Sequence, residues 1–396
     1  MTNESQLTPE IPSVAPRKNR RGMALVAVIL AIVVLSAIVT GTFFSSTQEF
    51  RGGRNALVEQ RAFATAEFGL NSAVSNWDRS RNLPPPLGRA VGNVDSSLIF
   101  VDQSDTARVR ITRLTINTFQ VVSEGRANIG NRSLESKRST NAMVRIAYPT
   151  IKPKGAITAA GNVSVQGSAT VNGANTNPTG WTACSAVPTD TVPAITAGPS
   201  ATVTYNNRNI PTSPAVLRDS AAADSNTYIR YGSESWNSLT ANADVKLAGG
   251  LYGSNIGPVG TATTCDYSQQ LNWGEPKRPG AVVGCYMYFP IIYSASSLKI
   301  NGNGYGQGIL LVNGDLEING TFEFYGLVIV RDDLNRSNGT ALIHGAVYAA
   351  NMSLQDPSSS ITGNQNIQYS KCAVETVLRA SAILTRAKER GWGQIF

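Results

Sequence analysis

Apolar and polar positions divide this chain into stretches with different periods. An uncharged apolar run of 22 residues extends from Met23 to Phe44. As a helix it spans ~33 Å, close to the roughly 30 Å hydrocarbon core of a bilayer. Beyond it, Leu57, Phe63, Ala64, Ala66, Phe68, Leu70, Ala73, Val74 and Trp77 recur near helical spacing. The membrane helix (23–44) is therefore expected to continue as an amphipathic extension (45–80). Gly52-Gly53 should mark a kink or melted turn where it leaves the bilayer, and Leu83-Pro84-Pro85-Pro86-Leu87-Gly88 should end helical structure.

The pattern then changes to alternation. Val109 and Ile111, Phe119 and Val121, and Met143, Val144 and Ile146 read as half-buried strands, giving a small antiparallel β subdomain over 91–149. Further on, glycine recurs at steps of six, at Gly155, Gly161, Gly167 and Gly173 and again at Gly308, Gly314, Gly320 and Gly326. The segments opening at Gly308, Gly326 and Gly345 are 18 and 19 residues apart. Short strands with glycine at the corners predict a β-helix, or solenoid, over 150–370, in which each coil buries its apolar residues against the next. Asn-Gly pairs at 301–302, 313–314, 319–320 and 338–339 support turns, and would equally close the hairpins of a β-sandwich. Residues 174–297 break the period and are expected to be an insertion, read either as a binding face or as a disulfide-pinned excursion. Val374, Val377, Leu378, Ile383 and Leu384 form a helical stripe, so a C-terminal helix over 371–392 is expected to cap the open end of the solenoid. The fold class is α+β and mostly β.

Charge orients the apolar run. Arg17, Lys18, Arg20 and Arg21 precede it, and no lysine or arginine follows until Arg51. The positive-inside rule puts the N-terminus in the cytoplasm and the rest outside. The run is too long for an ordinary signal-peptide core, although an uncleaved signal anchor fits the hydropathy. Residues 1–22 carry four cations and two anions, so the remainder keeps +6 of the +8 net charge, spread too thinly to define a partner. Four cysteines, Cys184, Cys265, Cys285 and Cys372, are candidates for disulfides in an oxidising compartment, with three full pairings open. They have no CxxC spacing and the chain has one histidine, which argues against a zinc site.

A basic leader ending in glycine, an apolar helix directly after it, and the segment Gln60-Arg61-Ala62-Phe63-Ala64-Thr65-Ala66-Glu67-Phe68-Gly69-Leu70-Asn71-Ser72-Ala73 together resemble a type IV minor pilin of the PilX-type N-terminal family. The resemblance covers residues 17–77. It implies cleavage by prepilin peptidase after Gly22, methylation of Met23, and a long helix laid on an antiparallel sheet. It also implies partners in the inner membrane and among other pilin subunits. At the fifth mature position, where most major pilins carry glutamate, this chain has Ala27. Family members without that glutamate are similar to subunits placed at a filament tip.

Other constellations are weaker. Asp315, Glu317 and Glu323 could suit glycoside cleavage, but they alternate with apolar residues as outward polar positions do. Asp333-x-Asn335-x-Ser337 resembles a calcium loop with His344 where the bidentate glutamate belongs. Gly302-Asn-Gly304-Tyr-Gly306-Gln-Gly308 reads as a flexible corner, and His344 as a structural histidine with a satisfied ring nitrogen. Arg108, Arg110 and Arg113 share a strand region and are candidate nucleic-acid contacts. No catalytic, metal or cofactor site is expected. The sequence thus predicts a non-enzymatic minor pilin or tip subunit that primes assembly or adheres to a surface glycan or DNA. An anchored solenoid scaffold and a carbohydrate-active β-helix enzyme are the alternatives.

Overall fold

The computed structural model describes residues 21–83, 91–102, 104–129, 134–181, 190–252, 255–276, 284–335, 340–349, 359–361, 366–386 and 392–395. The leader before Arg21, the triple proline, Cys184 and Ser337 lie outside them. The fold is mostly β, with one long N-terminal helix and a small antiparallel sheet.

Helix α1 spans Arg21–Ser75, 55 residues. It runs unbroken through Gly52 and Gly53, against the expectation of a melted turn; a Cβ built at either glycine would meet no other part of the protein within 4 Å, so no packing contact opposes continued helix there. Burial starts only at Val58 and follows Val58, Ala62, Thr65, Ala66 and Leu70, one helical stripe.

That stripe packs on an antiparallel sheet of β1 (Gly92–Phe100), β2 (Thr106–Thr115), β3 (Thr118–Ile129) and β4 (Leu134–Ala147). Val109, Ile111, Phe119, Val121, Val144 and Ile146 form the inner face with Leu70. The helix comes unusually close to β3. A Cβ added at Gly125 would lie 2.1 Å from the Ala62 carbonyl oxygen, so only glycine fits there. Arg61 pairs with Asp102 at 3.3 Å and Asp105 at 2.7 Å, and Arg138 pairs with Glu59, tying helix to sheet at both edges.

The C-terminus departs from the expected capping helix. Helix Lys371–Ala380 is shorter than expected, and the chain returns as strands Ile383–Arg386 and Trp392–Ile395, both antiparallel to β4. The stripe at Ile383 and Leu384 is therefore a strand completing the first sheet. Nor does the helix close an end of the coils. Val374, Val377 and Leu378 cover Ile309, Leu311, Leu327 and Ile329 on the flank. Those residues alternate with inward-facing ones, and without the helix an apolar row would face water.

Between β4 and the returning strands, the chain forms parallel strands stacked by whole circuits. Ile291–Ser294, Gly304–Val312, Thr321–Val330 and Thr340–Ala349 pair in order, with Ile309 opposite Leu327 and Leu327 opposite Ala346. Leu298–Asn301, Leu316–Asn319 and Leu334–Asn335 form a second parallel row. The long strands turn at Gly308, Gly326 and Gly345, whose φ angles of 118°, 140° and 150° disfavour other residues. Their first halves make a third row with Asn366–Tyr369 and Thr170–Asn172. Inside lie Ile292, Leu310, Val328 and Val347, with Leu298, Leu316, Phe322 and Phe324.

Residues 174–297 are not a simple insertion. Ile195–Ala197, Val216–Arg218, Val245–Leu247 and Gly250–Tyr252 belong to the same parallel rows, and Val203–Tyr205 pairs in parallel with Val163–Val165 in a separate three-stranded sheet. Their three-residue length and lack of six-residue glycine spacing hid them from pattern reading. Gly304–Gly308 is likewise strand, not a loose corner. The order of the coils in space also differs from the order in sequence. Thr340–Ala349 pairs with Ile157–Ala159, so the last circuits abut the first, while 216–218 and 245–247 lie at opposite edges of the row.

Candidate membrane and assembly surface

The feature of greatest chemical consequence is the uncovered half of α1. Leu25, Val26, Ile29, Leu30, Val33 and Ile38 are all more than half exposed, and Val33 is 60% exposed. The helix is long and apolar enough to cross a membrane. At about 25 cal/mol per Å², leaving such a surface in water is strongly unfavourable, so a bilayer or other apolar helices must cover it. Ala27 adds no charge to this surface. Gly22 and Met23 lie within the first turn of α1.

The arginine cluster divides. Arg108 and Arg110 are exposed on the outer face of β2, with Glu124 opposite Arg108. Arg126 and Lys137 are paired on the same face, and Arg126 bonds Glu124 at 2.7 Å. Arg113 belongs to the inner face instead and is fully buried. Its Nη1 donates to the Leu83 carbonyl oxygen at 3.0 Å, and its guanidinium lies 4.9 Å from the Phe119 ring centroid. A bulge at Arg113/Thr115 closes this alternation. Arg113 cannot touch a nucleic acid.

The carboxylates do not converge. Glu317 lies on the second parallel row, where Lys299 donates to it at 2.8 Å and Asn319 does so at the same distance. Those bonds, the lysine's first, hold its pKa below the usual carboxylate value. Asp315 accepts from the Asp333 backbone N–H at 3.0 Å. Glu323 lies on the third row beside Tyr325. His344 stacks on Tyr325 with ring centroids 4.8 Å apart. Contrary to expectation its buried Nδ1 has no hydrogen-bond partner, and burial lowers its pKa.

Cys265 and Cys285 form a disulfide, and Cys372 is also disulfide-bonded. The first bond fixes the segment that carries Trp273, which packs edge-on against Phe322 at 5.9 Å.

No family model and no curated protein matches this sequence. Among solved structures, the crystal structure of the competence-associated pilin ComZ from Thermus thermophilus aligns over 86% of this chain and 97% of that one, at 12% identity and a TM-score of 0.20. So loose a superposition carries no argument about function.

Proposed function

We propose that this protein is a minor pilin or pilin-like tip subunit of a type IV filament. The observation that carries the proposal is a single unbroken helix, bare and apolar over its first half and packed on an antiparallel sheet over its second. Such a helix can reside in the inner membrane with the remainder extracytoplasmic, and can later exchange lipid for the apolar helices of neighbouring pilin subunits. Prepilin peptidase would cut after Gly22 and leave Met23 methylated. The large coil-forming region, which we read as a β-solenoid, would crowd a filament shaft if every subunit carried it and suits a tip. There it would prime assembly or adhere, with a surface glycan, or DNA through Arg108 and Arg110, as ligand. The role is non-enzymatic.

The test is the mass of the N-terminal peptide from native protein in the sheared surface fraction. A peptide beginning at methylated Met23 supports the reading. An intact leader in protein confined to membranes overturns it and leaves an anchored scaffold or adhesin. Glycan-degrading activity lost in Asp315→Ala or Glu323→Ala would favour the enzyme alternative.

A further inference from the structure

Where the first sheet meets the coil stack, a cleft of about 510 Å³ opens between the end of β4, the link that follows it and the C-terminal helix. Its walls carry Arg145 from β4, Lys152 from the link and Arg379 from the helix, against one carboxylate, Glu375. Among the described residues none of these four makes an ion pair. Other cations, such as Arg61, Arg79, Arg81, Lys299 and Lys371, have carboxylate partners, while exposed ones such as Arg110 and Arg208 stand apart on the surface rather than together in a cleft.

Arg379 is held in place. Its Nη1 donates to Asn117 Oδ1 at 3.2 Å, and its guanidinium lies over the Tyr148 ring at 5.1 Å. Neither contact neutralises it. Arg113, buried behind it with Nε and Nη2 lacking hydrogen-bond partners, has its pKa lowered first by burial and then by the nearby Arg379 charge. Excess positive charge therefore extends from the cleft into the protein. Arg145 and Lys152 are exposed and Arg379 is half-buried, so a bound anion would offset the repulsion between their like charges at the cleft surface.

We propose that this junction cleft binds a small ligand through an oxyanion group, a phosphate or a carboxylate, clamped by Arg145, Lys152 and Arg379. Arginine matches such groups with paired N–H donors, and Arg379 lines the cleft while Asn117 and Tyr148 hold its guanidinium. The volume admits a body the size of a monosaccharide, and Tyr148 offers an aromatic edge beside it. Glu375 at the rim disfavours a second anionic group and accepts a hydroxyl. The site stands independently of whether the chain enters a filament.

Isothermal titration of the detergent-solubilised full chain with sodium phosphate and with sodium glucuronate tests this. Submillimolar binding of either is expected, weakened roughly tenfold or more by Arg145→Gln. Because Arg145 is exposed, that variant keeps the fold. Arg208→Gln, an exposed cation outside the cleft, should leave binding unchanged. Preference for phosphate would assign a phosphoryl group, and preference for glucuronate an acidic sugar. Binding of neither anion, or equal weakening by Arg208→Gln and Arg145→Gln, overturns the proposal.

Discussion

Thr385 Oγ1 donates to the Arg145 carbonyl oxygen at 2.9 Å across 240 positions of chain. Beside it, Ile383 pairs with Ala147. The chain thus leaves the first sheet at one strand, builds the whole coil stack, and returns to the neighbouring position on the same sheet. Adjacent antiparallel strands lie about 5 Å apart, a gap that a short turn can bridge. Replacing residues 149–381 by a two-residue Asn-Gly turn should leave α1 and the first sheet folded. Circular dichroism of the detergent-solubilised variant should show one cooperative thermal transition. Its absence would mean that the sheet depends on the removed region, for instance through the bond from Arg379 Nη1 to Asn117 Oδ1.

At Gly125 the backbone of β3 lies directly against that of α1. Gly125→Ala must push α1 away from β3 and should cost about 1–3 kcal/mol through overpacking. Gly53→Ala, with nothing nearby, should not destabilise. Chemical denaturation of the two variants checks this difference.

Acid should weaken the coil stack through Glu317. Its folded pKa lies below the ordinary 4.5, so its stabilising contribution is fully present above about pH 4.5 and is lost as pH falls through the folded value. Thermal midpoints taken between about pH 6 and pH 3 should fall less steeply for Glu317→Gln than for the parent. The effect is small, since the pair is partly exposed.

A charge in the bare half of α1 should weaken membrane residence. Val33→Asp costs about 2.5–3.5 kcal/mol at a bilayer centre. Carbonate extraction of membranes should move the variant toward the soluble fraction. Retention equal to the parent would show that this stretch is not what anchors the chain.

Much of this architecture is legible in residue patterns. The apolar run, the alternating strands to Ile146 and the echo between Gly308, Gly326 and Gly345 correspond to α1, the first sheet and the inter-strand register. Arg108 and Arg110 can be placed outside from strand alternation, and the same alternation, counted from Val109 and Ile111, puts Arg113 inside. The returning strands are not legible because Ile383 and Leu384 continue the spacing of Val377 and Leu378, and a short window cannot tell a helix's last turn from a new strand. The cleft was illegible for a different reason. Arg145, Lys152 and Arg379 come from three elements whose meeting depends on the chain's return to β4.

The order of the coils bears on how this molecule would carry a load. Both connections to the first sheet leave from neighbouring circuits, those of Ile157–Ala159 and Asn366–Tyr369, in the interior of the stack. A pull applied through α1 would therefore reach the coils at their middle, leaving both outer edges slack. The edge circuits could be deformed or gripped without transmitting tension along the row. Rupture would begin at the seam between Val347 and Ile157, where two non-consecutive parts of the chain are held together by backbone hydrogen bonds.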